Sequence, residues 1–443
     1  MIGEIIDLSH DGRGIVKENG VYFLDEGLIG DKVEYVVTNE KKKQGRITKI
    51  IEKSKNRIES PCPYSGECGG CPLIELDYKK ELEWKKSRVE NSIRRIGKID
   101  KKVEPIVENK KPLRYRNIVQ LKVQDGKIGY FKKGTHEVLD IDDCKIAPEE
   151  IKDVIKILKN WNGLSSIEQA IIRVNYQGEI MVILGTKTGV KKENNLLEKL
   201  LDLKVISVYE DINKTRNHYG YELREIYKSK QMYEKIGKHK FIVEPATFLQ
   251  VNPYQVENLY NLAVKGLELE KTDRVMDLYS GIGTISLKMA EQVESVVAVE
   301  SFEGSVEIAR KNAELNGIEN VEFAHGKVEE LTEELEKYTV NKVLLDPPRA
   351  GAKEEALQTI IKLNPERIAY VSCNPSTLAR DLQILGEKYK IEKIIPVDMF
   401  SHSSHVECIA LIQRVKSWKS CILSSFTSIM SLMKMAMEEE KKS

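Results

Sequence analysis

Short β-rich runs open the chain, GEIIDL, VYFL, DKVEYVV and QGRITKII, separated by turn residues such as HDGRG. Runs of this length broken by glycine and aspartate predict a small antiparallel β-barrel over residues 1–56. Such barrels often bind oligonucleotides, and strands alone leave a purely structural role equally open. In LIELDYKKELEWKKSRVENSIRRIG, the spacing of Leu73, Leu76, Leu82, Val89, Ile93 and Ile96 is that of one helix face, so a long amphipathic helix with a basic outer face is predicted. From residue 115 to about 244, β-runs (NIVQLKVQ, KIGYF, QAIIRVNYQGEIMVILG, VISVYEDI) alternate with one helical stretch near residues 152–159. This reads as a mixed α+β domain over 57–247. Past Phe248 the pattern changes again: RVMDLYSG, SVVAVES, NKVLLDPP, RIAYVSCNP and KIIPVDMF alternate with helical segments such as GTISLKMAEQ and SVEIARKNAELNG. That alternation predicts an α/β domain over 248–414, a mostly parallel sheet with helices on both faces. In the tail, 415–443, Ile422, Phe426, Ile429, Met433 and Met437 recur at helical spacing. An amphipathic terminal helix is predicted, docked on the preceding domain or offered to a partner.

A chain of 443 residues needs several cores, since a domain takes roughly 100–200 residues. Its 41% hydrophobic and 31% charged residues exclude collagen-like, mucin-like and largely disordered classes. No stretch reaches the ~18 uncharged apolar residues of a membrane span. The start, MIGEIIDLSHDG, carries acids where a secretory signal has a basic end and an apolar core, so a cytoplasmic location is expected. The net charge of +1 is uninformative, but its distribution is not. Residues 57–136 hold nineteen basic and eleven acidic side chains, whereas 137–443 hold forty-one and forty-eight. A basic segment joined to a mildly acidic remainder fits a polyanion surface, and equally a solvated charged face.

The cysteines number seven, an odd count in a chain without an export signal, which argues against a disulfide framework. In PCPYSGECGGCP, Cys62, Cys68 and Cys71 are spaced C-x5-C-x2-C, and the glycines and prolines let the loop fold back so that three thiolates converge. Cys144, in DIDDCKI, is the nearest fourth ligand. Zinc and a [4Fe-4S] cluster both accept four thiolates. Three clustered cysteines, a remote fourth and a proline after Cys71 lean toward iron–sulfur, because zinc more often takes two close pairs. Radical enzymes use a shorter first gap, so radical chemistry is not read here.

In the α/β segment the first strand ends in Asp277-Leu-Tyr279-Ser-Gly281-Ile-Gly283-Thr284, whose glycines allow a tight turn into a helix N-terminus. Glu300 ends the second strand, where an acid accepts both hydroxyls of an unphosphorylated ribose. With no third glycine, the pair favours S-adenosylmethionine over a dinucleotide. Asp346-Pro-Pro-Arg349-Ala-Gly351 and Ser372-Cys373-Asn374-Pro375 also follow strands, which places them on the sheet's carboxyl edge. Cys373 is a nucleophile candidate, and His402-Ser-Ser-His405-Val-Glu407 adds a carboxylate suited to general base work.

YVSCNPST after DPPRAG, with HVE near the end, resembles the RNA uracil-5-methyltransferase family. The four-cysteine site and the N-terminal barrel are similar to the branch acting on 23S ribosomal RNA, whose barrel is a TRAM domain. The likeness covers residues 1 to about 414, with one departure: Ser401 follows Phe400 where the family usually has proline, which bears on the rigidity of the loop carrying Glu407. The resemblance implies a class I S-adenosylmethionine-dependent, Rossmann-like methyltransferase domain that acts on RNA as a monomer and makes 5-methyluridine. It implies Cys373 as nucleophile and Glu407 as base, Gln250, Tyr279, Glu300 and Asp346 as the cofactor set with Asp346 also near the base, and a structural cluster on Cys62, Cys68, Cys71 and Cys144. The target uridine is flipped out or unpaired. On the residues alone, Asp277 is expected to anchor the glycine turn, His405 to orient Glu407, Phe248 to pack in the core and Cys408 to be buried. A transfer RNA substrate, a non-catalytic RNA-binding factor and an electron carrier are the competing readings; the intact Cys373, Asp346 and Glu407 set argues against the second, and the lack of a flavin or nicotinamide fingerprint against the third.

Overall fold

A computed structural model describes residues 1–18, 20–190, 195–212 and 223–415; the tail helix expected over 415–443 lies, from residue 416 onward, outside the described residues. Strands β1 (Ile2–Leu8), β2 (Gly14–Lys17), β3 (Val21–Leu24), β4 (Lys32–Asn39) and β5 (Gln44–Glu52) close into a barrel in the order β1-β2-β3-β5-β4. Alternate residues point inward, and Ile5, Val16, Leu24, Val33 and Tyr35 fill the barrel together with Leu73, Leu76 and Trp84 from farther along the chain. Gly27 is required where the barrel turns: it has a φ of 99°, and a Cβ there would lie 2.1 Å from the Ile5 side chain.

Helix α1 (Tyr78–Arg95) begins later than the apolar spacing suggests, because Asp77 caps it by accepting from the backbone N–H groups of Lys79 and Lys80. Leu73 and Leu76 therefore lie ahead of the helix, and Ile96 at its end is exposed. The expected basic outer face also fails at one position, since Lys85 is fully buried.

A second sheet is ordered β12-β11-β10-β9-β6-β7-β8, from β6 (Ile118–Gln124), β7 (Lys127–Phe131), β8 (Val138–Asp140), β9 (Gln169–Val174), β10 (Ile180–Thr186), β11 (Val205–Ile212) and β12 (Leu223–Lys228). Helices α2 (Glu149–Lys159) and α3 (Leu196–Leu201) pack their apolar residues on one face. Ile171, Met181, Ile183 and Tyr209 pack the other face against hairpin β13 (Met232–Ile236) and β14 (His239–Val243) and helix α4 (Pro253–Gly266). With both faces covered, all seven residues of β10 are buried, which is why this run reads as continuously apolar.

The third sheet alternates with helices along the chain: β15 (Arg274–Leu278), α5 (Thr284–Ala290), β16 (Ser295–Glu300), α6 (Glu303–Leu315), β17 (Val321–His325), α7 (Thr332–Leu335), β18 (Lys342–Leu345), α8 (Glu354–Leu363), β19 (Arg367–Ser372), α9 (Pro375–Leu385), β20 (Tyr389–Val397) and β21 (Glu407–Arg414). The order is β17-β16-β15-β18-β19-β21-β20, parallel through β19, with β21 antiparallel to both neighbours. Successive residues serve opposite cores: Val275 and Leu344 face one layer, Met276, Val343 and Leu345 the other. Helix α1 joins the second layer through Val89 and Ile93, beside Leu378 and Leu382 of α9, so the segment before β6 is tied to this sheet. Among the described residues no helix is long and apolar enough to cross a membrane.

A buried ion pair pins the barrel to the segment leading into α1. Asp31 accepts from Arg57 Nε (2.9 Å) and Nη2 (2.7 Å) and from the backbone N–H groups of Leu28 (2.7 Å) and Ser54 (2.9 Å). Burial works to raise its carboxyl, but Arg57 and these N–H groups outweigh that and hold it below the usual carboxylate range. Arg57→Met leaves a carboxylate with 0% exposure unpaired and is expected to lower unfolding free energy by about 3–5 kcal/mol, measured by urea denaturation.

Candidate active site

Each loop leaving a parallel strand of the third sheet at its carboxyl end contributes to one cavity of about 730 Å³. This is the crevice where the chain, having run outward from β15, returns to its other side at β18. The β15–α5 turn supplies Asp277, Tyr279, Gly281 and Thr284; the loops after β16, β18 and β19 supply Glu300 and Phe302, Asp346 and Arg349, and Cys373. Gln250 and Phe248 enter from the segment before α4, and Phe400 and Glu407 from the β20–β21 hairpin.

The turn is locally strained. Gly281 and Gly283 have φ of 56° and 83°, and Tyr279, at 65°, adopts a conformation rare for a bulky residue. It is held from both sides: Glu300 accepts from the Gly281 N–H (3.0 Å) and the Phe302 N–H (2.8 Å), and Asp277 accepts from Ser286 Oγ of α5 (2.5 Å). Asp277 thus anchors the turn as expected, and it also borders the cavity.

Cys373 follows the last residue of β19 and Glu407 opens β21, and the antiparallel register pairs Ser372 with Cys408. Cys373 and Glu407 lie one residue beyond that pair on their respective strands, and both border the cavity. Glu407 is 2% exposed and its Oε2 has no hydrogen-bond partner among the described residues. Lost hydration, then the charge of Asp346, push its carboxyl well above the usual range. Asp346 keeps some surface open to the cavity, yet the surrounding protein strips enough water to push it up to about 7. Burial, then Asp346 and Glu300, bring Asp277 to about 7 as well. Burial, Glu407 and Asp346 push the Cys373 thiol up to about 11 against the opposing pull of Arg349. Cys408, wholly buried, has its thiol raised by the same desolvation and is inert.

A second cavity of about 550 Å³ adjoins the first and shares Arg349, Cys373 and Phe400 with it. Cys62, Cys68, Cys71 and Cys144 all line it, with Tyr64, Tyr130 and Arg116. Burial, then the neighbouring cysteines, raise the thiols of Cys68 and Cys71, the latter strongly. Burial raises that of Cys144 as well. Among the described residues no three His, Cys, Asp or Glu side chains are grouped so as to hold a single metal ion. The four thiols surround a common space instead.

Two expectations are corrected. Phe248 is 70% exposed and borders the first cavity rather than packing in the core. The His405 ring lies edge-on to Phe400, centroids 6.0 Å apart, and lines the second cavity; it makes no hydrogen bond to Glu407 among the described residues. Phe302, Arg349 and Phe400 border the site although no site role for them is expected from the sequence. Phe302 had a legible signal, an aromatic two residues past the acid that ends β16.

The model of the tRNA (uracil-5-)-methyltransferase family matches residues 77–415. The chain belongs to this family of RNA uracil-5-methyltransferases. It is 36% identical over 436 residues to an uncharacterized RNA methyltransferase of Clostridium tetani, covering 92% of this chain and 95% of that protein. A counterpart in Caldanaerobacter subterraneus is 36% identical over 440 residues, covering 93% and 97%. Among solved structures, the Pyrococcus abyssi tRNA (uracil-54, C5)-methyltransferase in complex with S-adenosyl-L-homocysteine superposes with a TM-score of 0.77 at 27% identity, covering 93% of this chain and all of that one. This RNA uracil-5-methyltransferase is an S-adenosylmethionine-dependent enzyme, and its crevice stands where such sheets bind ligands.

With a thiol near 11, the free enzyme holds Cys373 protonated at neutral pH. Its alkylation by iodoacetamide should rise about tenfold per pH unit between roughly pH 7 and 10. Mass spectrometry of the Cys373 peptide measures this directly; a rate already level at pH 7 would reveal a preformed thiolate.

Proposed function

We propose that this enzyme methylates carbon 5 of a uridine in 23S ribosomal RNA through a covalent bond between Cys373 and carbon 6. The observation that carries this reading is that the Ser372–Cys408 register pair of two antiparallel strands brings the adjoining Cys373 and Glu407 to the wall of one cavity. Carbon 5 of uracil is a poor nucleophile; once the thiol proton has passed to solvent, addition of the Cys373 thiolate to carbon 6 turns the ring into an enolate. S-adenosylmethionine, when bound, supplies the methyl group from a sulfonium cation. Burial, then Glu407 and Asp346, keep the proton on Cys373, and a cation held in the cavity would offset the contribution of the two carboxyls. Glu407 then takes the proton from carbon 5, the carbon 6–sulfur bond breaks, and the 5,6 double bond returns. Once ionised, a buried carboxyl with a raised pKa and an unpartnered oxygen is suited to accept that proton.

The cofactor set in this reading is Gln250, Tyr279, Glu300 and Asp346, with the oriented Glu300 carboxylate facing the ribose hydroxyls. The barrel of residues 1–56 and the adjoining basic segment take RNA, and the chain acts as a monomer in the cytoplasm. Cys62, Cys68, Cys71 and Cys144 hold a [4Fe-4S] cluster, the fit being four thiols around one cavity that do not close on a point. Its work is structural, tying the loop of Cys62–Cys71 to the Cys144 segment. The resemblance of the barrel and the cysteine spacing to the ribosomal branch supports ribosomal RNA; the superposition on an enzyme named for uracil 54 of transfer RNA favours transfer RNA as the second reading.

Incubation with labelled S-adenosylmethionine and separated ribosomal and transfer RNA tests both readings, with label expected in 5-methyluridine of 23S RNA. Cys373→Ala should abolish transfer while leaving S-adenosylhomocysteine affinity within about twofold, and Glu407→Gln should trap a heat-stable protein–RNA adduct on a denaturing gel. Transfer by Cys373→Ala would sink the covalent route. Separately, protein purified without oxygen should be brown, with about four irons per chain, the colour lost in Cys71→Ser. Colourless protein with one zinc would replace the cluster.

A further inference from the structure

The β20–β21 hairpin closes on the pair Val397 and Glu407, so the loop between them, residues 398–406, sets where Glu407 stands. Phe400 of that loop borders both cavities beside Cys373. Several of the loop's polar groups are met from outside the sheet, by α1 and the chain ahead of β6. Lys85 Nζ, with 0% exposure, donates to Asp398 Oδ1 (2.6 Å), Glu81 Oε1 (2.7 Å) and the Phe400 carbonyl (3.0 Å). Asp398 Oδ2 accepts from the hydroxyls of Tyr78 and Ser401, each at 2.6 Å. Ser401 Oγ accepts from Asn109 Nδ2 (2.9 Å), and its carbonyl accepts from the Tyr115 hydroxyl (3.0 Å). Glu81 Oε1 accepts from the His402 N–H (2.7 Å), whose residue has a φ of 66°.

Lys85, Glu81, Asp398, Tyr78 and Ser401 border neither cavity, so none of them touches a reactant there. Well-packed apolar side chains would stabilise this junction at least as well as a buried ion cluster, whose best-attested use is to impose one register. Apolar packing would let the loop slide, whereas Lys85 donates to a carboxylate and to a carbonyl two residues further along the loop and so admits one placement. We propose that Lys85, acting through Asp398 and the Phe400 carbonyl, is a positioning residue that fixes Glu407 and Phe400 against Cys373. This rests on the reading of Cys373 as nucleophile and Glu407 as base.

The test uses the full chain carrying Lys85→Met, Asp398→Asn or both. Expected are S-adenosylhomocysteine affinity and KM for RNA within about threefold of the parent, kcat lower by about tenfold or more, and accumulation of the covalent protein–RNA adduct because release lags. The double variant should lose no more than the worse single one, since both remove one link. Ser401→Ala, which removes a single hydroxyl, carries the test if Lys85→Met does not fold, with a fall in kcat of about threefold or more at unchanged cofactor affinity. Unchanged kcat, additive losses, or a loss of kcat matched by loss of cofactor affinity overturns the proposal. Failure of the parent enzyme to form 5-methyluridine or any adduct overturns instead the reading on which it rests.

Discussion

The insertion of β21 between β19 and β20, antiparallel to both, is the constraint on which the site depends. A parallel strand at that position would start at the opposite edge of the sheet and carry Glu407 away from the crevice. Running it backwards makes its first residue a neighbour of the residue that ends β19, and two groups separated by a helix and a strand in sequence come to border one cavity. The pairing also transmits the hairpin's position, so whatever holds the 398–406 loop holds the carboxyl of Glu407.

Low hydration gives these groups their chemistry. Asp277, Asp346 and Glu407 share the walls of one cavity with Cys373, and in so dry a space they are not all ionised at neutral pH. A site that stores unfavourable negative charge is complementary to a cation, which is the property a sulfonium donor presents. Burial and the same carboxyls keep the Cys373 thiol protonated, and a protonated thiol is slow to react with electrophiles.

The second cavity brings the four cysteines of the central segment to the far side of Cys373. The domain of the third sheet is therefore not a self-contained unit: Cys373 borders both the crevice built by that sheet and a space walled by residues from Cys62 to Cys144. Helix α1 reinforces this join, with Trp84 in the barrel core, Val89 and Ile93 in the core of the third sheet, and Lys85 under the hairpin loop.

Much of the site was legible in sequence because its parts are local. A strand followed by a glycine turn, by Asp-Pro-Pro or by Ser-Cys-Asn-Pro places its last residues on one sheet edge whatever the rest of the chain does, and Tyr279, Glu300, Asp346 and Cys373 do border one cavity. Three things needed the tertiary structure. The start of α1 was set by the Asp77 cap and by barrel residues that competed for Leu73 and Leu76, a non-local packing that helical spacing does not register. Phe248 reads as a core aromatic, and only the placement of the crevice leaves it exposed. Lys85 reads as one more charge on a basic helix face, because its partners Asp398 and the Phe400 carbonyl lie more than three hundred residues away. Hydrophobic periodicity reports which residues can be buried; whether a charge is buried depends on what other parts of the chain bring to meet it, and that is decided only when the sheets have assembled.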